Sequence, residues 1–450
     1  MKKTELHNKI LSLVLPIAFS QFMLTLVSAC DALMLGKLAQ NAMSAVSLAG
    51  QVAFVLSLFT AALTIGGSMF AAQYWGKKDI DAVERIFALT LRVSVGVGLL
   101  FTVISFINPY IFMKILTNEE ELVELGAGYL RSVSLSYVLC SISQIYLCIM
   151  KNSGQARLST LISSLAVILN IVLNAVLIFG LFGCPALGIS GAAYATVIAR
   201  AMEYGMVKIN AQRSESIHLR LHWLLKPDKV LQKTVWKHTL PVLGNELVWG
   251  LGFSVSAVMI GHLGTDAVAA NSIASIVRNL IACFCIGLGS GGGILVGNAL
   301  GAGRLEDGKI LGRQITILAL GSGILSGIIS ILLIPIALSV ITLSPGAEHD
   351  LVWMLGISSI WMVGKSVNCA TVGGIFCAGG DSRFGLLCDT VTLWGIIVPL
   401  GLLAAFVLKL PVLVVYFIVN MDELIKLPAV FRHYKKYKWV KDLTRLGECV

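Results

Sequence analysis

Asp31, Asn170, Asn174 and Thr196 carry the oxygens in this sequence best suited to holding a cation. Asp31 falls toward the outer end of the first long apolar run. Asn170 and Asn174 are spaced i, i+4, which puts them on one face of a helix. Thr196 closes Ala192-x-x-x-Thr196 on the following run. A carboxylate with amide and hydroxyl oxygens suits a hard cation such as sodium. It equally suits a carboxylate that takes up a proton. The plainer reading of Asp31 is a carboxylate near a helix end, hydrated from outside.

A second set lies further along the chain. Glu246, Arg278 and Lys365 each fall near the middle of an apolar run. Charge at a bilayer centre costs about 2.5–3.5 kcal/mol on insertion scales, so it faces a partner or a cavity. The three either compensate one another structurally or form a switchable site where a cationic substrate or a proton displaces a partner. Glu246 matches Lys365 in depth, so the two are predicted to interact directly or through one water. Asn368, one helical turn after Lys365, suits a hydrogen bond to substrate. Trp249 either packs or stacks on a cation.

These residues need helices to position them. Hydrophobic residues make up 57 % of the 450 and charged residues 13 %. A soluble chain carries about 25 % charged residues, so this one lacks the charge to cover itself in water. Runs near 10–35, 45–72, 86–108, 125–150, 159–181, 187–209, 236–261, 268–298, 314–341, 351–377, 384–408 and 410–431 approach or exceed the roughly 20 residues a spanning helix needs. They are continuously apolar, without strand alternation, so helices are predicted rather than a barrel. The expected fold is an all-α integral membrane protein of twelve transmembrane helices. Met1 to Lys9 is polar and basic, so no cleavable signal is expected.

Lys and Arg set the topology. With the N-terminus in the cytoplasm, 25 of the 34 basic residues fall in cytoplasmic segments, 3 in external ones and 6 within spans. That asymmetry is strong positive-inside evidence. It predicts both termini cytoplasmic in a multi-pass plasma-membrane protein, and it accounts for the net charge of +10 without nucleic acid. The basic tail from Arg432 to Lys438 reads as an anchor on anionic lipid. Expected partners are a small-molecule substrate and membrane lipid, with no obligate protein partner.

The chain repeats itself. At an offset of 225, Leu15-Pro16 falls on Leu240-Pro241, Gly36-Lys37-Leu38 on Gly261-His262-Leu263, Gly66-Gly67 on Gly291-Gly292, and Gly76 on Gly301. Each repeat holds six runs, so both halves share one orientation. The organisation predicted is a six-helix half over 1–209, a cytoplasmic linker over 210–235 containing Pro227, a second half over 236–431, and a basic cytoplasmic tail over 432–450. Two bundles related by an axis along the membrane normal suit alternating access.

Other chemistries find no support. Gly289 to Gly293 lacks the Gly-Lys-Ser/Thr ending of a phosphate loop; close helix packing or a bend explains it better. No HExxH or GxSxG motif is present, so an enzyme is not expected. The ten cysteines are scattered without metal or disulfide spacing and read as small apolar fillers. Arg200 and Glu203, i, i+3, are predicted to pair, and Asp389 reads as structural. No cofactor is expected beyond a coupling ion, Na+ or H+.

With these residues in order, the sequence resembles the multidrug and toxic compound extrusion (MATE) family, bacterial type. The resemblance rests on Leu15-Pro16 followed by D-x-x-x-x-G-x-L at Asp31 to Leu38, with its echo at Gly261 to Ala270. It continues through Asn170-Ile-Val-Leu-Asn174, Gly188-x-x-Gly191-Ala-Ala-x-Ala-Thr196, Gly379-Gly380-Asp381-Ser382-Arg383 and Lys438-Trp439-Val440. It implies export of amphiphilic, often cationic compounds in exchange for sodium ions or protons. It also implies a cation site from the matching Asp31, the Asn170/Asn174 pair and Thr196. Some members carry Asp at the position of Asn174, so this chain has one carboxylate there. Other sodium-coupled members have a glutamate where this chain has Trp249. The alternative is a lipid-linked saccharide flippase of the same superfamily, whose cleft needs arginines for a pyrophosphate; here the middle of the membrane offers Arg278 and Lys365.

The charge asymmetry makes a direct prediction. A C-terminal tag should resist a membrane-impermeant reagent in intact cells and react only after permeabilisation. Labelling from outside would overturn the topology.

Overall fold

Backbone that crosses lipid must satisfy its own N–H and C=O groups, and the apolar runs do so as helices. The computed structural model describes residues 3–36, 40–213, 217, 220–225, 228–340 and 343–445. Lys37 and Leu38, Pro227 with parts of the linker, Lys2, and residues 446–450 lie outside the described residues. No strand occurs among the described residues.

Twelve helical segments follow the twelve apolar runs. They are α1 (Lys3–Gly36), α2 (Gln40–Lys77), α3 (Ile80–Ile107), and α4, which runs Glu120–Val133 and then, after a 48° bend, Leu135–Asn152. Next come α5 (Ala156–Phe179), α6 (Ile189–Arg213), α7 (Lys229–Gly261), α8 (Thr265–Gly301) and α9 (Leu305–Leu332). The chain ends with α10 (Pro345–Asn368, continued as a π-helix Cys369–Phe376), α11 (Ser382–Asp389, continued through Val407) and α12, built of Val412–Val419, Asp422–Ile425 and Leu427–Tyr434. Among the described residues, eight helices pass as spans by length and hydropathy alone, and the bent α4 makes a ninth. The other three, α6, α10 and α12, carry Arg200 and Glu203, Lys365, and the trio Asp422, Glu423 and Lys426.

The chain divides into two compact units. One comprises Met1–Phe22, Ala72–Lys78 and Trp236–Val450; the other comprises Met23–Ala71 and Asp79–Val235. The repeat is visible in α1 and α7. Pro16 lies inside α1 and Pro241 inside α7, each removing one backbone donor from its helix.

In the second unit, α3 packs on α4 and α5 on α6. Small residues set these approaches. A Cβ on Gly98 would lie 2.6 Å from Ser141 Oγ, and one on Gly191 would lie 2.5 Å from the Leu177 carbonyl. Ser94 Oγ donates to the Ser141 carbonyl across the α3–α4 seam at 2.9 Å. Arg200 pairs with Glu203 at 2.8 Å.

In the first unit, α8 packs on both α9 and α10. Gly289 to Gly293 is where α8 meets α10 backbone to backbone. A Cβ on Gly289 would lie 2.5 Å from the Cys369 carbonyl oxygen, and one on Gly293 would lie 3.0 Å from that of Gly374. The glycine run is therefore a packing surface. Helix irregularities begin beside buried polar residues: the π-segment of α10 follows Asn368, that of α11 follows Asp389, and α12 is interrupted at Asn420 and Met421. Such breaks release backbone groups and redirect side chains.

The segment after α12 is built into this unit. Lys435, Lys436 and Lys438 are exposed, but Trp439 is fully buried, in one core with Ile10, Val14, Leu295 and Phe376. The amide of Gln73 holds the segment: its Nε2 donates to the carbonyls of Ala378 and Lys441 at 2.7 and 3.1 Å, and its Oε1 accepts from the Leu443 N–H at 2.6 Å. The described cysteines are all free.

The α8–α10 contact gives a stability test. Gly289→Val should lower the thermal unfolding midpoint of the purified protein, reflecting a loss of about 1–3 kcal/mol from overpacking. Gly321→Ala on α9, where a Cβ meets nothing within 4 Å, should not. Equal midpoints for the two variants would show that the close approach is dispensable.

Candidate functional site

Each unit holds a polar centre within its apolar helices. In the second unit, α5 presents Asn170 and Asn174 on one face. Asn174 Nδ2 donates to Asp31 Oδ1 of α1 and to Asn170 Oδ1, the latter at 3.2 Å. Asn170 Nδ2 donates to Thr196 Oγ1 of α6 at 3.3 Å, and Thr196 donates to the Ala192 carbonyl at 3.0 Å. The four residues named from the sequence thus form one connected chain of hydrogen bonds. Tyr129 of α4, which the sequence reading did not single out, lies within electrostatic range of Asp31.

The polarity of this chain is constrained. An ionised carboxylate only accepts, so the Asn174 NH2 must face Asp31. That leaves Asn174 Oδ1 buried and without a hydrogen-bond partner. Among the described residues no basic side chain pairs with Asp31; its hydrogen bond is the one to Asn174. The centre therefore holds a negative charge without a counter-ion, beside an orphaned oxygen. Such oxygens are of the kind that could hold a hard cation, and the hydrogen bonds from Asn174 to Asn170 and from Asn170 to Thr196 fix the amide.

The first unit contains a denser network. Lys365 Nζ of α10 lies 3.2 Å from Glu423 Oε1 of α12. Lys426 Nζ lies 3.1 Å from Glu423 Oε2, 2.9 Å from Asp389 Oδ1 and 3.8 Å from Asp422 Oδ2. Asn368 Nδ2 donates to both Glu423 Oε2 and the Glu423 carbonyl, at 2.8 and 2.7 Å. The Trp361 indole N–H donates to Asp422 Oδ1 at 3.3 Å. Gly364 permits the approach of α12, since a Cβ there would lie 2.8 Å from the Glu423 carbonyl oxygen.

The expected Lys365–Glu246 pair is corrected by this geometry. Lys365 takes Glu423, because the break in α12 carries that carboxylate to the glycine beside Lys365. Glu246 remains within electrostatic range of Lys365 and Asp389. Trp249 does meet a cation, but it is the protein's own: Lys365 Nζ lies 5.4 Å from the Trp249 ring centroid and 5.7 Å from that of Trp361. Trp249 also stacks on Phe253, with ring centroids 5.8 Å apart. Asn368 keeps its Oδ1 buried and unpartnered. Arg278 stands apart, donating to Asn420 Oδ1 at 2.6 Å with its guanidinium 4.9 Å from the Trp361 ring centroid.

Sequence reasoning missed Glu423, Asp422 and Lys426. Their signal was present: two acids precede a lysine by three and four positions inside a span, the spacing of a helical ion pair.

The family profile named MatE matches this chain twice, over residues 16–176 and 241–403. The chain belongs to the MatE family. The two matches begin 225 residues apart, at 16 and 241, which is the offset of the internal repeat. The chain is 22 % identical to the probable multidrug resistance protein YoeA of Bacillus subtilis over 411 residues, covering 90 % of this chain and 88 % of that one. It is 23 % identical to the multidrug resistance protein PmpM of Pseudomonas aeruginosa over 399 residues, covering 88 % and 83 %. A crystal structure of a MATE transporter in complex with MaL6 superposes with a TM-score of 0.88 at 19 % identity, covering 97 % of this chain and 98 % of that one. The fold is thus that of a twelve-helix MATE transporter, a multi-pass membrane protein.

The ion network predicts a specific coupling. A double-mutant cycle of Lys365→Met with Glu423→Gln should give an interaction energy of about 1–3 kcal/mol in unfolding stability, and the cycle with Glu246→Gln a smaller one. A larger coupling to Glu246 would reject the pairing.

Proposed function

We propose that this MatE-family transporter is a secondary exporter of amphiphilic or cationic small molecules, a multidrug efflux protein that exchanges them for a cation taken up at Asp31. The observation that carries this reading is the uncompensated Asp31 carboxylate beside the orphaned Asn174 Oδ1. A membrane-buried charge without a partner is costly, so the centre is suited to a state in which a cation is present and a state in which it is not. A bound sodium ion or proton supplies the positive charge that the residues around Asp31 lack. Asn170 and Thr196 keep the Asn174 amide turned so that its oxygen stays available. The names of the relatives, multidrug resistance proteins, support the substrate class. The distribution of Lys and Arg supports placement in the plasma membrane with both termini cytoplasmic.

Inverted membrane vesicles with imposed gradients test the proposal. The wild-type chain should accumulate a dye substrate when a sodium or proton gradient is imposed, and the effective ion names the coupling. Asp31→Asn should reduce gradient-driven accumulation to background while the protein is still inserted and folded. Normal accumulation by that variant would show that Asp31 is peripheral to coupling.

A further inference from the structure

Where α8 ends at Gly301 and α9 begins at Leu305, a cavity of about 320 Å³ opens beside the turn. Its lining combines opposite charges with apolar wall. Lys9 of α1 and Arg304 at the turn supply positive charge, Asp307 of α9 supplies a carboxylate, and Leu295 and Ile310 supply apolar surface. Asn298 of α8 also lines it, with its Oδ1 buried and without a hydrogen-bond partner. These groups are not committed to one another. Lys9 is exposed and has no ion-pair partner among the described residues. Arg304 faces Asp307 at 3.6 Å with more than half of each side chain exposed, an arrangement that contributes little, so both ions can turn to a ligand. No hydrogen bond among the described residues holds the side-chain amide of Asn298, so it can turn its oxygen toward a donor.

We propose that this cavity holds the headgroup of a phosphoethanolamine lipid, with Lys9 and Arg304 on the phosphate and Asp307 and the Asn298 amide oxygen on the primary ammonium. A phosphate alone would meet the Asp307 carboxylate as a like charge, and an ammonium alone would meet two cations. A headgroup that carries both charges a few bonds apart answers both. A guanidinium matches phosphate oxygens in paired hydrogen bonds. A primary ammonium brings three N–H donors, whereas a trimethylated one brings the charge with no hydrogen to donate and leaves Asn298 unpartnered. The level suits a headgroup. Lys9 and Arg304 stand where the chain enters or leaves its apolar runs, on the side that the basic residues assign to the cytoplasm. The apolar wall continues away from the cavity. Ile310, Ile317 and Ile324 are all exposed, and their i, i+7, i+14 spacing makes one stripe along α9 on which an acyl chain can lie. That stripe selects a lipid over a soluble phosphate compound, whatever the transporter exports.

Native mass spectrometry of the purified, delipidated full chain tests the assignment. The probes are phosphatidylethanolamine, phosphatidylcholine and phosphatidylglycerol with identical dioleoyl chains. The first two differ only in methylation of the nitrogen. The first lipid adduct should form roughly tenfold more tightly with phosphatidylethanolamine than with phosphatidylcholine, the scale of hydrogen bonds to a charged group. Asp307→Asn should remove most of that difference. Lys9→Gln combined with Arg304→Gln should weaken both lipids alike, because both carry the phosphate. Lys435→Gln, at an exposed lysine that does not line the cavity, should change neither affinity. The ratio is read within one sample, so it does not depend on how much of a variant is folded. Free phosphoethanolamine should compete only at concentrations far above that of the lipid. A wild-type ratio near one, tighter binding of phosphatidylglycerol than of phosphatidylethanolamine, or a ratio that survives Asp307→Asn would overturn the inference. Competition by free phosphoethanolamine at the concentration of the lipid would assign the cavity to a soluble phosphate compound and overturn the lipid as its occupant.

Discussion

Lys426 is the ion on which the geometry of the first unit depends. Its ammonium touches three carboxylates, two on its own helix and Asp389 on α11. Through Glu423 it also reaches Lys365 on α10. One buried charge therefore ties three helices together in a medium where an unpaired charge is not tolerated. The irregular backbone follows from this demand. The interruption of α12 at Asn420 and Met421 turns Glu423 toward the gap left by Gly364, and the π-segments of α10 and α11 begin one residue after Asn368 and Asp389. A regular helix would space these side chains at fixed angles, and the cluster would not close.

Against that closed network, Asp31 in one unit and Arg278 in the other have no oppositely charged partner among the described residues. Asp31 has an amide for company and Arg278 has an amide and an indole ring. The repeat sharpens the contrast. At the offset of 225, Asp31 corresponds to Ser256 and Arg278 to Ala53, so neither charge is inherited by the other half. The shared backbone plan has been given different electrostatics in its two copies.

Much of this was legible beforehand. Continuous apolar length announced the helices, and the recurring proline and glycine positions announced the repeat. Helical spacing put Asn170 and Asn174 on one face, while the grouping of Asp31 and Thr196 with them came from the family resemblance. The partner of Lys365 was not legible, since depth alone ranks Glu246 and Glu423 poorly when one of the helices is broken. Helix breaks arise from tertiary demands that periodicity does not encode. The backbone contacts at Gly289 and Gly293 were readable as a class, but their partner on α10 was not. Glu423 was missed for a related reason: its span is apolar enough on average to hide three ions.

Trp439 belongs to the same core as Ile10 and Val14, and Gln73 grips Lys441 and Leu443 just after it. Residues of α1 and of the segment after α12, far apart in the chain, thus share one core. Contacts separated by this much chain close late, because loop-closure entropy must be met before they contribute. The core that holds Ile10 also holds Trp439, so it is complete only once the chain between them has been made.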